Sequence, residues 1–271
     1  MSPDAPYRRE HVVDVDAAVV GISRTDWARL TPAEADDLDA AREAMARLQF
    51  DVMAVDDGEG SVEEYLATDV WGEYGAVGRH RIGEAETLPY RTPLDEAVRA
   101  LAEREGRPFL FLTRYGRVTG LLTVAHLNSR QSRTFFYSLI SELEMAMARL
   151  VRREVAAGRV PVADVVATMR DEVREAYEAQ RDEDVESDPT EYFYLNDLTA
   201  TVYKLGLHRA LGFTGRNAFE KPLNRLVKLR DRVAHPARAL VGSPESVSKL
   251  WRDVEVLDDY LSRLREAAPP S

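Results

Sequence analysis

One stretch of the chain, LVKLRDRVAHPARAL at positions 226–240, holds the residues best suited to chemistry. Arg230 and Asp231 are followed by His235, and Pro236 comes directly after the histidine. An arginine guanidinium can hold a phosphate in a fixed fork, and a histidine can exchange protons near neutral pH. These two groups are the minimum equipment for RNA cleavage without a metal ion. A base takes the proton of the ribose 2′-hydroxyl, the 2′-oxygen attacks its own phosphorus, and a cation stabilises the charge that develops.

The same stretch predicts a helix in which Arg230 occupies an unusual position. At 3.6 residues per turn, one broad apolar face contains Leu223, Leu226, Val227, Leu229, Val233 and Ala234. Arg230 falls inside this face, although an unpaired buried charge is costly. Asp231 lies one turn before His235 and could orient its ring, and Pro236 should end the helix near the histidine. The plainer interpretation of Arg230 is a structural ion pair with Glu142 or Glu144.

The chain from Ser129 onward lacks strand signals and predicts a bundle of five helices. The fourth of these helices carries Arg230 and Asp231, and His235 lies near its end. An arginine, a polar residue and a histidine at this place in the last-but-one helix of a bundle resemble the motif of the HEPN family. The resemblance covers roughly Ser129 to Glu266 and implies a dimer with two motifs facing each other across one composite site. It also implies metal-independent endoribonuclease activity in many members, and binding or dimerisation alone in others. On the basis of this resemblance, we expect His235 to transfer protons, Arg230 to bind the phosphate and Asp231 to orient the His235 ring.

The first half alternates helix-like and strand-like segments, and a helix–strand–turn unit occurs twice. The second copy runs through TPLDEAVRAL, PFLFL and GRVTGLLT, and Thr92 is expected to cap its helix. The two copies resemble a pair of CBS repeats, which implies an adenine nucleotide in the cleft between them. Gly120 and Thr123 match the family's nucleotide-binding positions, but His126 stands where an aspartate would hold the ribose. Thr123 is therefore also expected as a helix cap, and GRHRIGEAE at positions 78–86 as a solvated loop.

Composition narrows the class of protein. The chain has 271 residues, no cysteine and a formal net charge of −11. This charge argues against broad adhesion to nucleic acid or anionic membrane. The chain nevertheless has a basic segment at positions 216–238, which could bind an anion or neutralise the acidic segment at 171–197. Within the basic segment, Arg225, Lys228 and Arg232 point away from the apolar face and are expected to guide RNA. No run of apolar residues predicts a membrane span, and the histidine spacing predicts no metal site.

These observations combine into one hypothesis with two alternatives. We expect an α+β chain, with a CBS-like α/β module at residues 1–128 and an all-α HEPN-like bundle at residues 129–271. Its expected function is a cytoplasmic, homodimeric, metal-independent endoribonuclease without a resident cofactor, regulated by the CBS-like module and serving as a toxin or in defence. The first alternative is a non-catalytic regulatory or dimerisation protein that senses an adenine nucleotide. The second is a purely structural dimer in which Arg230 pairs with a glutamate.

Overall fold

A computed structural model describes residues 12–104, 106–182 and 188–268 of the chain. The chain divides into two compact units. The sheet unit comprises Asp14–Phe135 and Ala239–Trp251. The helical unit comprises Phe136–Arg238 and the described parts of Met1–Val13 and Arg252–Ser271. The division near residue 135 lies seven residues beyond the boundary expected at 128, and the segment at 239–251 joins the sheet unit instead of the bundle.

The sheet unit contains eight strands within its described residues. They are β1 (Ile22–Ser23), β2 (Arg29–Leu30), β3 (Val52–Val55), β4 (Glu64–Val70), β5 (Glu73–Arg81), β6 (Thr87–Pro89), β7 (Phe109–Arg114) and β8 (Arg117–Thr123). Four helices accompany them: α1 (Ala17–Val20), α2 (Pro32–Asp36), α3 (Leu38–Leu48) and α4 (Leu94–Ala102). The strands form two four-stranded sheets, in the orders β1-β8-β7-β6 and β2-β3-β4-β5. The protein is therefore mixed α+β, with its strands in the first half of the chain.

The two sheets share one pattern of pairing, which confirms the predicted internal repeat of the helix–strand–turn unit. β2 is parallel to β3 in one sheet as β6 is parallel to β7 in the other. The connection is helical in both pairs, with α2 and α3 in the first and α4 in the second. β4 and β8 then pair antiparallel with β3 and β7. The fourth strands differ in origin, because β5 follows its repeat whereas β1 precedes both repeats in the chain. Sequence patterns had not indicated the strand β1.

Local signals account for some of these elements and misplace others. The predicted turn between β7 and β8 is confirmed at Tyr115 and Gly116, which both have positive φ values (52° and 73°), as tight hairpin turns require. The segment at 78–86 is not a loop at its start, since residues 78–81 lie in β5 and pair with β4. Thr92 does not cap α4, because Pro93 is the N-cap and the Thr92 hydroxyl donates to the Pro89 carbonyl.

Six helices follow in the described chain: α5 (Arg130–Ala156), α6 (Val162–Ala167), α7 (Asp171–Asp182), α8 (Leu195–Lys204), α9 (Arg216–Ala234) and α10 (Pro244–Glu266). The second expected helix is two helices, α6 and α7. The Thr168 hydroxyl donates to the Val165 carbonyl at 2.7 Å, and Lys204 donates to the Thr168 carbonyl. These bonds replace helical ones and end α6. No helix among the described residues has the length and apolar character needed to cross a membrane.

Candidate functional site

The helix α9 carries the candidate site and is held by one apolar face. Phe219, Leu223, Leu226, Leu229 and Val233 are buried at spacings of three and four residues. This is the repeat that keeps side chains on one side of a helix. The helix ends at Ala234, and His235 has an extended backbone, as expected for a residue before proline. The predicted end of this helix is confirmed.

Arg230 lies at the margin of the buried face of α9. Its side chain is 29% exposed, so the guanidinium is only partly removed from water. The guanidinium lies 5.1 Å from the centre of the Tyr194 ring, within the range of a cation–π contact. Among the described residues, Asp231 supplies the one carboxylate within 4 Å of it, at 3.7 Å. The close ion pair with Glu142 or Glu144 that the plainer interpretation required is not formed.

Glu144 of α5 interacts with Arg230 through its charge. Its Oε1 accepts a hydrogen bond of 3.0 Å from the backbone N–H of Leu195, the first residue of α8. Burial raises the pKa of the Glu144 carboxyl above its ordinary value, while the Leu195 hydrogen bond and the positive charge of Arg230 act in the opposite direction. Glu144 thus holds the start of α8, next to the tyrosine on which Arg230 rests.

Asp231 and His235 are less closely associated than the sequence suggests. The side chain of Asp231 is 49% exposed, and its carboxylate lies near Arg230. His235 is exposed, and its backbone N–H donates to the Asp231 carbonyl at 3.1 Å. Within the described part of the chain, no hydrogen bond joins the His235 ring to the Asp231 carboxylate. The structure therefore brings Arg230 and Asp231 together and leaves the His235 ring open at the end of α9.

The basic residues expected to guide RNA have different environments. Arg225 binds the carboxylate of Asp253 on α10 at 2.6 Å, and Arg232 lies 3.6 Å from the same group. Asp253 is buried, which raises the pKa of its carboxyl, while the charges of the two arginines oppose this rise. Lys228 is exposed, and no described residue pairs with it. Arg225 and Arg232 thus compensate the buried charge of Asp253. Of the three residues expected to guide RNA, Lys228 is the one without a described partner.

Replacing Arg225 by alanine is expected to lower the free energy of unfolding by about 1–2 kcal/mol, because the buried Asp253 carboxylate would keep only its contact with Arg232. The matched Lys228→Ala variant should change it by no more than about 0.5 kcal/mol. Urea unfolding followed by far-ultraviolet circular dichroism measures both. The loss for Arg225→Ala should become smaller as the pH falls from neutral into the acidic range, because burial raises the pKa of Asp253 and the protonated carboxyl needs no cation. Equal stability of the two variants would contradict this role of Arg225.

A cleft of about 220 Å³ lies in the helical unit beside Glu144. Its lining consists of Glu144, Met145, Ala148, Arg149, Arg152, Thr190, Phe193 and Leu198. The first five of these follow one face of α5, at spacings of one, three and four residues. Arg152 donates to the Thr190 hydroxyl and pairs with Asp188, whereas Arg149 is exposed and pairs with no described residue. The cleft therefore has an apolar lining, one half-buried carboxylate and an available cation.

In the sheet unit, the positions expected from the sequence to bind a nucleotide help to stabilise the fold. A Cβ on Gly120 would meet the Ile22 carbonyl oxygen at 2.6 Å, so the close approach of β1 requires glycine there. His126 Nδ1 accepts from the Thr123 N–H at 3.0 Å and lies 3.2 Å from the Thr123 hydroxyl. Because the backbone N–H can only donate, this ring nitrogen carries no proton, and burial lowers the pKa of His126 accordingly. His126 thus caps the turn that Thr123 begins.

Tyr194, Arg149 and the cleft were not identified from the sequence. The order of residues in EYFYLND gives no sign that Tyr194 meets Arg230, which is distant in the chain. The sequence of α5 does contain a weak signal for the cleft, because Met145, Arg149 and Arg152 recur at helical spacing. In the described part of the chain, no group of three or more histidine, aspartate or glutamate side chains is placed to hold a metal ion.

Comparisons with known proteins found no match for the chain. No protein-family model matches it, and searches of curated proteins and of solved structures found no significant match. The side chains of the site therefore supply the grounds for a function.

Proposed function

We propose that the protein is a metal-independent endoribonuclease of the HEPN type, with His235 and Arg230 at its active site. The observation that carries this proposal is the state of Arg230. Its guanidinium rests on Tyr194, is partly exposed and has among the described residues only the 3.7 Å contact with Asp231. Most of its N–H donors therefore remain for a phosphate. His235 is exposed and follows directly after the last residue of the same helix, five positions beyond Arg230.

The reaction assigns one step to each residue. His235 accepts the proton of a ribose 2′-hydroxyl, and the 2′-oxygen forms a bond to the adjacent phosphorus. Arg230 donates hydrogen bonds to the non-bridging phosphate oxygens, which gain charge in the transition state. The bond between phosphorus and the 5′-oxygen then breaks, and the 5′-oxygen takes up a proton from a second acid. The products are a 2′,3′-cyclic phosphate and a free 5′-hydroxyl.

A second copy of the chain is the proposed source of that acid, because it brings a second His235 to the site. The helical unit exposes large aromatic or apolar side chains that can support association: Tyr137 at 48%, Met145 at 39% and Tyr194 at 56%. Tyr137 and Met145 lie two turns apart on one face of α5, and Tyr194 contacts Arg230. Exposed groups of this kind are typical of protein–protein interfaces. A homodimer through this surface would place two motifs close together.

The sheet unit is proposed as a CBS-like regulatory module. Its support is the internal repeat, with the same parallel and antiparallel pairings in both sheets. The tasks of Gly120 and Thr123 in packing and capping disfavour an adenine nucleotide at those two positions. Regulation would then act through association of the module, or through a ligand held elsewhere in it.

The rival function is a non-catalytic dimerisation or regulatory protein. The observation that favours it is the open ring of His235, which no described carboxylate orients within one copy of the chain. An exposed histidine at a helix end can also serve only to stabilise the negative end of the helix dipole.

Incubation of the purified full-length chain with a mixed-sequence RNA in EDTA tests the proposal. Cleavage that leaves 2′,3′-cyclic phosphate ends is the expected result. Absence of cleavage by a folded, dimeric chain, with or without added adenine nucleotides, would favour the non-catalytic function. Cleavage that leaves 3′-hydroxyl ends, or that requires a divalent ion, would also overturn the assigned chemistry.

A further inference from the structure

The cleft beside Glu144 has the size and lining of a site for a single planar base. Its volume of about 220 Å³ is smaller than the roughly 300–1,000 Å³ of pockets for drug-sized ligands. Phe193, Leu198, Met145 and Ala148 line it with apolar and aromatic surface. Unstacked RNA bases are commonly held against such surface and read through hydrogen bonds to their edges.

The polar group of the cleft is an acceptor. Only Oε1 of Glu144 is engaged among the described residues, by the Leu195 N–H, so Oε2 and the second lone pair of Oε1 remain available. An ionised carboxylate can accept two hydrogen bonds side by side. Guanine presents two adjacent donors on its Watson–Crick edge, N1–H and the 2-amino group. Adenine and cytosine each present one amino group beside an acceptor nitrogen, which would face a carboxylate oxygen, and uracil presents one N–H between two carbonyls.

Two arginines near Glu144 could bind the phosphate of the same nucleotide. Arg149 lies on the rim, is exposed and pairs with no described residue. Arg230 is near enough for its charge to act on Glu144, and it is the proposed clamp of the scissile phosphate. A base in the cleft would thus belong to a nucleotide whose phosphate lies at or next to the cleavage site.

We infer that the cleft formed by α5 and the start of α8 is a guanine-binding subsite, in which the Glu144 carboxylate accepts from the Watson–Crick edge of the base and Arg149 contacts a phosphate. This subsite deepens the proposed function and rests on it for its role in RNA cleavage. It would direct cleavage to phosphates that neighbour a guanosine. Because the carboxylate must be ionised and burial raises its pKa, guanine binding should weaken as the pH falls towards the acidic range.

Titration of the full-length chain with GMP, AMP, CMP and UMP by calorimetry tests the subsite without requiring cleavage. We expect GMP to bind at least about 10-fold more tightly than AMP, the discrimination typical of a bidentate base contact. Glu144→Gln should reduce the preference to less than about 3-fold, since the amide retains an oxygen for Leu195 but replaces the second acceptor with a donor. Glu178→Gln on the exposed face of α7 is the matched control and should retain the preference. Arg149→Ala should weaken all four nucleotides to a similar extent.

Two results would overturn the subsite: no preference for GMP in the wild type, or a preference that persists in Glu144→Gln. Circular dichroism and the unfolding midpoint establish that Glu144→Gln is folded. The outcome is separable from that of the nuclease. GMP preference in a chain that does not cleave RNA would support the subsite and contradict the nuclease, and RNA cleavage without GMP preference would do the reverse.

Discussion

Replacing Arg230 by alanine is expected to lower the rate of RNA cleavage by about 10³-fold and to leave the chain folded. The loss in rate has the size found when a group that stabilises transition-state charge is removed. Stability should change little, because the side chain is partly exposed and its ion pair with Asp231 is long and solvated. Arg230→Lys should recover only part of the rate, since an ammonium group retains the charge but lacks the planar fork.

His235→Ala is expected to lower the same rate by about 10²- to 10⁴-fold through loss of proton transfer. Initial rates on a fluorescent RNA in EDTA measure both variants, and sedimentation at the same concentration checks that they associate as the wild type does. Arg209→Ala is the matched control, because Arg209 is an exposed arginine of the same unit and should leave the rate unchanged. A rate near that of the wild type in either site variant would remove Arg230 or His235 from the reaction.

The second large effect concerns stability and is expected at Asp56, directly after β3. Its side chain is fully buried and gathers several donors of the sheet unit. Arg24 donates to both carboxylate oxygens, at 2.6 and 3.0 Å, the Trp27 ring N–H donates at 3.3 Å, and the Gly58 N–H donates at 2.8 Å. Asp56→Asn should lower the free energy of unfolding by about 3 kcal/mol, because the buried amide lacks the negative charge that pairs with Arg24 and has one acceptor oxygen instead of two for these donors.

Acid should reveal the same contribution in the wild type. The Arg24 hydrogen bonds, more than any other contact, lower the pKa of Asp56 to about 2, from an ordinary value of 3.8. A carboxyl whose pKa is lowered by folding stabilises the folded state above its unfolded pKa. That stabilisation is lost as the pH falls from about 4 through about 2. Asp56→Asn should abolish this part of the acid sensitivity.

Urea unfolding followed by tryptophan fluorescence measures both effects, because Trp27, Trp71 and Trp251 all belong to the sheet unit. Asp57→Asn is the matched control, since Asp57 is the exposed neighbour and accepts a hydrogen bond from the nearby Glu59 N–H. It should change the free energy of unfolding by no more than about 0.5 kcal/mol. Equal stability of the two asparagine variants would show that the Asp56 contacts contribute no net stability.

Much of the local structure followed from short-range rules. Pro236 removes helical geometry from His235, so the end of α9 could be located from two residues. The Tyr115–Gly116 hairpin and the buried face of α9 likewise follow from residue types and their periodicity. The expected α+β order, in which the strands come before the helical region, is also confirmed, because it too follows from residue types and their periodicity. The CBS and HEPN resemblances stay predictions, and with them the functional assignment of the motif.

Long-range contacts could not be predicted in this way. The chain breaks between α6 and α7 at Thr168, whose carbonyl accepts a hydrogen bond from Lys204 of α8, a contact that no periodicity reveals. β1 joins β8 although the two strands are distant in the chain. The sequence by itself determined which residue types could cleave RNA and that one helix would carry them. Only the tertiary structure decided that Arg225 binds Asp253, that Arg230 rests on Tyr194 and that Glu144 lines a cleft beside it. These partners lie on different helices, so packing of the helices, and not spacing along the chain, determines which side chains meet.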